Sequence, residues 1–372
     1  MDDVLTQPSL FDLLARCWPL GNAVSSATFN HAQTAVAFAC ADGRAAVVAL
    51  ADDEAPGKRI RIEFDTGRTT IRPRTRPLPP PIMVGPLPGG RAPSLVALGE
   101  QGFCLGAGDG SLHRMTARGQ MLSFAPAASV PVTALASHAG TEGVAAARGH
   151  RLSLHGPTGA ETAATNLAEE IGVIAHAPDG KALAAGHGPF VTVFAADGLG
   201  DERPIGVGAP VVSLAWSQDG TRLCCGCGDR SVAIVDPATG TVKRIDSFPA
   251  VPAALDVSHP ASALLASGTY RLAAWSLRGD SALPLKTGRP GLVLVDQVAA
   301  HPTRGIAATG YTSGLLILSH LGQAGEVLLR EGASGPDAAV TALAWSDDGR
   351  HLAAGTASGD AAVITFPDQF FK

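Results

Sequence analysis

The segment Leu214-Ala215-Trp216-Ser217-Gln218-Asp219-Gly220 returns as Leu343-Ala344-Trp345-Ser346-Asp347-Asp348-Gly349. A weaker copy stands at Ile174-Ala175-His176-Ala177-Pro178-Asp179-Gly180. The closing glycines are 40 and 129 residues apart, the second step being three periods of 43. Such a period implies an array of like supersecondary units, because no single unit can bury its own apolar face. The array replaces the two or three ordinary domains that 372 residues would otherwise suggest.

Each unit repeats one grammar: an apolar strand, a tight turn, a strand of small residues ending in Gly, a second turn, and an alternating third strand. Unit five runs Val211–Trp216, Thr221–Gly226 and Ser231–Val235. Asp-Gly and Gly-rich turns supply the positive φ angles of tight hairpins. Eight first strands fall near 25–29, 94–98, 132–136, 172–176, 211–216, 253–257, 295–299 and 340–345. Aligning Ala97, Leu135, Ile174, Leu214, Leu255, Gln297 and Leu343 gives steps of 38, 39, 40, 41, 42 and 46. From Ala27 to Ala97 the step is 70, which places an insertion after the first unit.

Fourth strands fit at Met121–Ala125 and Val242–Ile245. Four antiparallel strands per period of roughly 40 is the sequence form of a β-propeller blade. The last unit ends at Phe366 without room for a fourth strand, while Leu13–Leu20 is spare. The expected architecture is therefore all-β: a single closed propeller of four-stranded blades over residues 12–368. Its N-terminal strand completes the last blade, residues 1–11 form a tail, and eight blades are preferred to seven. Closure would also protect an exposed sheet edge.

On the turns at 177–180, 217–220 and 346–349, on Gly108-Asp109-Gly110-Ser111 and Gly228-Asp229-Arg230-Ser231, and on the third strands 231–236 and 271–276, the chain resembles the WD40 repeat family. The resemblance spans about Leu13 to Phe366. The Trp-Asp pair that signs the family is missing: Val235-Asp236 keeps the Asp and Trp275-Ser276 keeps the Trp. The resemblance implies a non-catalytic scaffold that binds a protein or peptide on the top face. It places there the turns between second and third strands, with Asp42, Arg44, Asp109, Arg148, His150, His187, Asp229, Arg230, Tyr270, Arg271 and Tyr311.

One segment breaks the pattern. Lys58 to Arg91 holds eight basic residues against Glu63 and Asp65, a net of +6, so subtracting it from the chain's −5 leaves −11 elsewhere. Eight prolines lie from Pro73 to Pro93. Ile60–Phe64 is expected as the fourth strand of the first blade. Residues 65–93 are then an extended basic loop, since proline donates no ladder hydrogen bond, and the resemblance implies that such a connection from a fourth to the next first strand lies on the top face. Arg68, Arg72, Arg74 and Arg76 either grip an acidic partner or the acidic ring, or belong to a tolerated surface insertion. Nucleic-acid binding through this loop is a further alternative, disfavoured because no aromatics are interleaved for base stacking.

No catalytic, metal or cofactor set is expected. Cys224, Cys225 and Cys227 lack a second pair at zinc spacing and fit a buried strand, with 225 and 227 on one face. His31, His176, His259 and His301 follow first strands in register, which marks a structural position. Asp256 and Gln297 make a poor metal cage in a channel otherwise lined by Ala, Leu and Val. The alternative to a scaffold is a metal-dependent propeller hydrolase or lactonase, which would need several convergent acids or histidines. The two acids and missing basic region of 1–11, and the absence of a long apolar run, point to a cytoplasmic protein with reduced thiols and no membrane partner.

Overall fold

A computed structural model describes residues 8–62, 69–279, 282–333 and 335–371. Eight four-stranded antiparallel sheets form eight blades, and one small hairpin stands apart. No helix among the described residues is long and apolar enough to cross a membrane. A helix at Leu10–Leu14, capped by Ser9 in a reciprocal pair with Asp12, leads into the strand Ala15–Pro19. That strand pairs with Asp360–Thr365 from Ala15↔Ile364 to Pro19↔Asp360, completing blade 8 as its outer edge. The ring is thus closed by backbone hydrogen bonds between the two ends of the chain.

Eight core clusters bridge the eight pairs of adjacent blades, the last pair being blades 8 and 1. The second strands are buried on both sides, as at Ala35–Cys40. Side chains alternate across a strand. Val36, Phe38 and Cys40 therefore face blade 8, while Ala35, Ala37 and Ala39 face blade 2. The glycine that closes the second strand has a steric cause. A Cβ on Gly355 would stand 2.4 Å from Val24 Cγ1 of the next blade, and Gly106, Gly186 and Gly310 meet Val132, Val211 and Val340 in the same way. Blades approach that closely only where this side chain is missing.

The antiparallel order fixes two faces. Turns between second and third strands, and connections from fourth to next first strand, emerge on one face, termed upper. Turns between first and second, and between third and fourth strands, emerge on the other, termed lower. This corrects the placement of the insertion. Ile60–Ile62 is no blade strand: it pairs with Thr69–Ile71 in the separate hairpin. Glu63 and Phe64 lie outside the described residues. The fourth strand of blade 1 is Ile82–Val84, paired with Ala45–Val47. As an edge strand it needs hydrogen bonds on one side only, so the preceding prolines are tolerated. The insertion thus runs from third to fourth strand and emerges on the lower face.

Candidate interaction surfaces

The insertion is folded against the closure seam. Trp18 of the N-terminal strand donates Nε1–H to the Pro79 carbonyl at 2.8 Å. Arg59 donates to the carbonyls of Glu54, Arg72 and Leu13. Arg74 pairs with Asp52 and Glu54, and Arg16 approaches Asp52 at 3.9 Å. Burial raises the Asp52 carboxyl, but hydrogen bonds from Arg74 and from the Glu54 amide, with the charges of Arg74 and Arg16, outweigh it and hold the group below its ordinary value. The Thr75 hydroxyl and the Arg76 amide hold Glu54 at about 2. Arg59 and Arg74 are therefore spent on the chain itself. Arg72 and Arg76 remain exposed, and Arg68 lies outside the described residues.

On the upper face the predicted residues divide by burial. Arg148, His187 and Tyr311 are buried, which corrects their assignment as surface contacts. Arg148 donates to the Gly110 carbonyl of the neighbouring blade at 2.9 Å and to Ser153 Oγ at 3.1 Å. His187 shares a 2.8 Å hydrogen bond with Thr192. Sequence alone could not separate these from exposed turn residues, because a side chain one position from a turn tip can fold inward. Asp42, Arg44 and Asp109 are half-buried. Asp42 and Arg44 pair at 2.6 Å, and Arg44 reaches the Leu20 carbonyl. His150, Asp229, Arg230, Tyr270 and Arg271 are exposed, with Asp229 held by Arg244 at 2.6 Å. One feature of this face was missed: Leu292, in the connection from blade 6 to blade 7, is 96% exposed. The Gly291 amide donates to the Tyr270 carbonyl at 2.9 Å, so Leu292 stands beside Tyr270, itself 46% exposed.

No group of three or more histidines, cysteines, aspartates or glutamates is placed to hold a metal among the described residues. Cys225 and Cys227 face blade 4 and Cys224 faces blade 6, all buried, and burial pushes the Cys224 thiol up to about 12. Ser111 stands between Asp109 and His113, the wrong order for a nucleophile. The Ser111 hydroxyl donates to Asp109 at 2.6 Å, whereas a triad needs the carboxylate on the histidine. In the channel Asp256 is raised to about 6 by burial, against the amides of Ala300 and Val257 that it accepts from. It ties the first strands of blades 6 and 7 together. His301 packs between Trp345 and Phe371, at 4.8 and 5.2 Å between ring centres, and serves as packing.

The WD domain, G-beta repeat family model matches residues 204–236 and 329–364. Both matches start in the fourth strand of one blade and run through the third strand of the next, the offset that also lets the N-terminal strand close the ring. No curated protein sequence matches the chain. Among solved structures, a chain of "Crystal Structure of Mitotic Checkpoint Complex" is similar at 14% identity and TM-score 0.60, covering 72% of this chain and 84% of that one. The Myceliophteria thermophila Cps50 (Swd1) β-propeller domain is similar at 13% identity and TM-score 0.55, covering 72% and 93%. At such identities the likeness is one of fold. The chain is thus a closed β-propeller of eight four-stranded blades, two of whose repeat units match the WD domain, G-beta repeat model.

Proposed function

We propose that this propeller is a non-catalytic platform that binds a protein or peptide on its upper face, around blades 6 and 7. The observation that carries this reading is the exposure of Tyr270 and Leu292, two large side chains on segments of this face joined by the Gly291–Tyr270 backbone hydrogen bond, with exposed Arg271 following Tyr270 in sequence. Tyr and Arg are enriched at interface centres, and an exposed leucine beside them supplies apolar area to desolvate. The ring beneath is rigid, so little order has to be gained on binding. The basic insertion is no longer part of that face. An acidic partner would have to reach Arg72 and Arg76 from below.

A photo-crosslinking residue placed at position 270, and in a parallel protein at the exposed lower-face position 53, tests this in cells of the native host. A discrete protein adduct at 270 and none at 53 is expected. Adducts at 53 alone would overturn the proposal. For a captured partner, the Tyr270→Ala/Leu292→Ala double variant should weaken binding by more than about tenfold with an unchanged melting temperature.

A further inference from the structure

On the upper face, backbone hydrogen bonds tie the outer segments of blades 5, 6 and 7 into one strip. The Phe248 amide donates to the Arg230 carbonyl at 3.1 Å, the Ala250 amide to the Gly268 carbonyl at 3.0 Å, and the Gly291 amide to the Tyr270 carbonyl at 2.9 Å. The turns of blades 5 and 6 and the connections that leave those blades therefore run next to one another. Gly268 keeps the first connection close, since a Cβ there would stand 2.6 Å from the Ala250 carbonyl oxygen. Three large apolar side chains stay exposed along the strip: Val251, Tyr270 and Leu292. The strip also carries positive charge that the chain does not use. Arg230, Arg271 and Arg289 are exposed, and none forms an ion pair or donates a side-chain hydrogen bond among the described residues. The acids around them are engaged within the chain. Asp229 and Asp246 are both held by Arg244, at 2.6 and 3.3 Å. Glu326 of blade 7 accepts the Arg289 amide at 3.1 Å. On the next connection, from blade 7 to blade 8, the exposed charges turn acidic, with Glu331 and Asp337.

Resting on the upper-face platform above, we propose that its partner is an acidic peptide segment in which Asp or Glu residues flank large apolar ones. The carboxylates meet Arg230, Arg271 and Arg289, and the apolar side chains cover Val251, Tyr270 and Leu292. A guanidinium takes a carboxylate through two parallel hydrogen bonds, which makes these arginines selective for it. Exposed ion pairs are each worth only about 0–1 kcal/mol. Affinity therefore comes from the apolar contacts, while the arginines set the choice of partner and its rate of arrival. The whole chain carries −5, so an acidic peptide is repelled by much of the surface and gathered where the free guanidinium groups stand. A nucleic acid fits less well. Val251 and Leu292 are aliphatic, which leaves Tyr270 as the one ring of the three on which a base could stack.

The test selects a displayed library of random peptides on the full chain. The selected peptides should carry Asp or Glu next to Leu, Ile or an aromatic residue. A synthesised one should bind more than about tenfold more weakly to Tyr270→Ala/Leu292→Ala and to Arg271→Ala/Arg289→Ala, each with an unchanged melting temperature. Selection on Arg271→Glu/Arg289→Glu should turn to basic peptides. Arg118→Glu, exposed on the lower face, should bind as wild type does. Peptides without acidic residues, lost in Tyr270→Ala/Leu292→Ala but kept in Arg271→Ala/Arg289→Ala, would overturn the acidic partner and leave the upper-face platform standing. No enrichment, or equal binding to every variant, would overturn the proposal, and crosslinking at position 270 then decides the platform separately. A mixed-sequence RNA oligonucleotide that binds wild type and not Arg271→Ala/Arg289→Ala, with no peptide enriched, would give the strip to nucleic acid instead.

Discussion

At the scale of single residues, the lower face is held by aromatic wedges and by carboxylates given to the seam. Trp345 packs on His301 and Phe366 and is tied to blade 7 by its indole N–H. Truncation to alanine empties a core site, so Trp345→Ala should cost about 3–5 kcal/mol, read from urea unfolding. Glu54 makes a different prediction, in pH. Its folded value of about 2 lies below the ordinary glutamate value of about 4.3. A depressed carboxyl stabilises fully above the unfolded value and loses that contribution as pH falls through the folded one. The melting-temperature gap between wild type and Glu54→Gln should therefore be largest above about pH 5 and should close towards about pH 2. A gap that does not change with pH would mean that Glu54 acts by shape alone.

At the scale of elements, two devices set how blades meet. The first is the glycine that ends a second strand. Gly355→Ala would press a methyl into Val24 across the seam between blades 8 and 1, and overpacking of this kind costs about 1–3 kcal/mol. Calorimetry should show a lowered melting temperature. A Gly220→Ala control, whose Cβ would meet nothing within 4 Å, tests the local backbone cost alone at φ +67°. The second device is the insertion, which lies over the same seam through Trp18, Arg59 and Arg74. Arg74→Ala would leave Asp52 deprived of its main partner in a half-enclosed site. A loss of about 1–3 kcal/mol is expected for an orphaned polar group of this kind, with faster amide exchange in Ala15–Pro19 as the local readout.

At the scale of the molecule, the ring is a closed set of nearest-neighbour interfaces, and closure makes them cooperative. The ring is closed twice over, by packing of blade 8 on blade 1 and by pairing of Ala15–Pro19 with Asp360–Thr365. Removing residues 1–19 should turn one sharp thermal transition into a broad one and expose the edge of blade 8 to aggregation. A sharp transition at the wild-type temperature would show that inter-blade packing suffices without the hydrogen-bonded seam. The acidic ring and its basic insertion also interact within one molecule. Part of the insertion's charge is neutralised by Asp52 and Glu54, next to it in sequence, and not by a partner.

The blade count, the first and third strands of unit five, the closing N-terminal strand and the two-faced cysteine strand were all legible in the sequence, while the second strand of unit five, expected at Thr221–Gly226, is Leu223–Cys227. Each follows from a local rule: a period near 40, side-chain alternation, or turn chemistry at Asp-Gly. The insertion was misread because Ile60–Phe64, with apolar residues alternating with Arg61 and Glu63, fits an edge strand as well as the shorter Ile82–Val84, and alternation cannot say which will find a strand to pair with. That choice moved the basic segment from one face to the other. Burial of Arg148, His187 and Tyr311 and exposure of Leu292 were likewise beyond local pattern. All of them depend on how far one blade stands from the next. The repeat determined what the blades are, and only their packing decided which side chains the closed ring leaves free, because that distance is set jointly by residues some 40 positions apart.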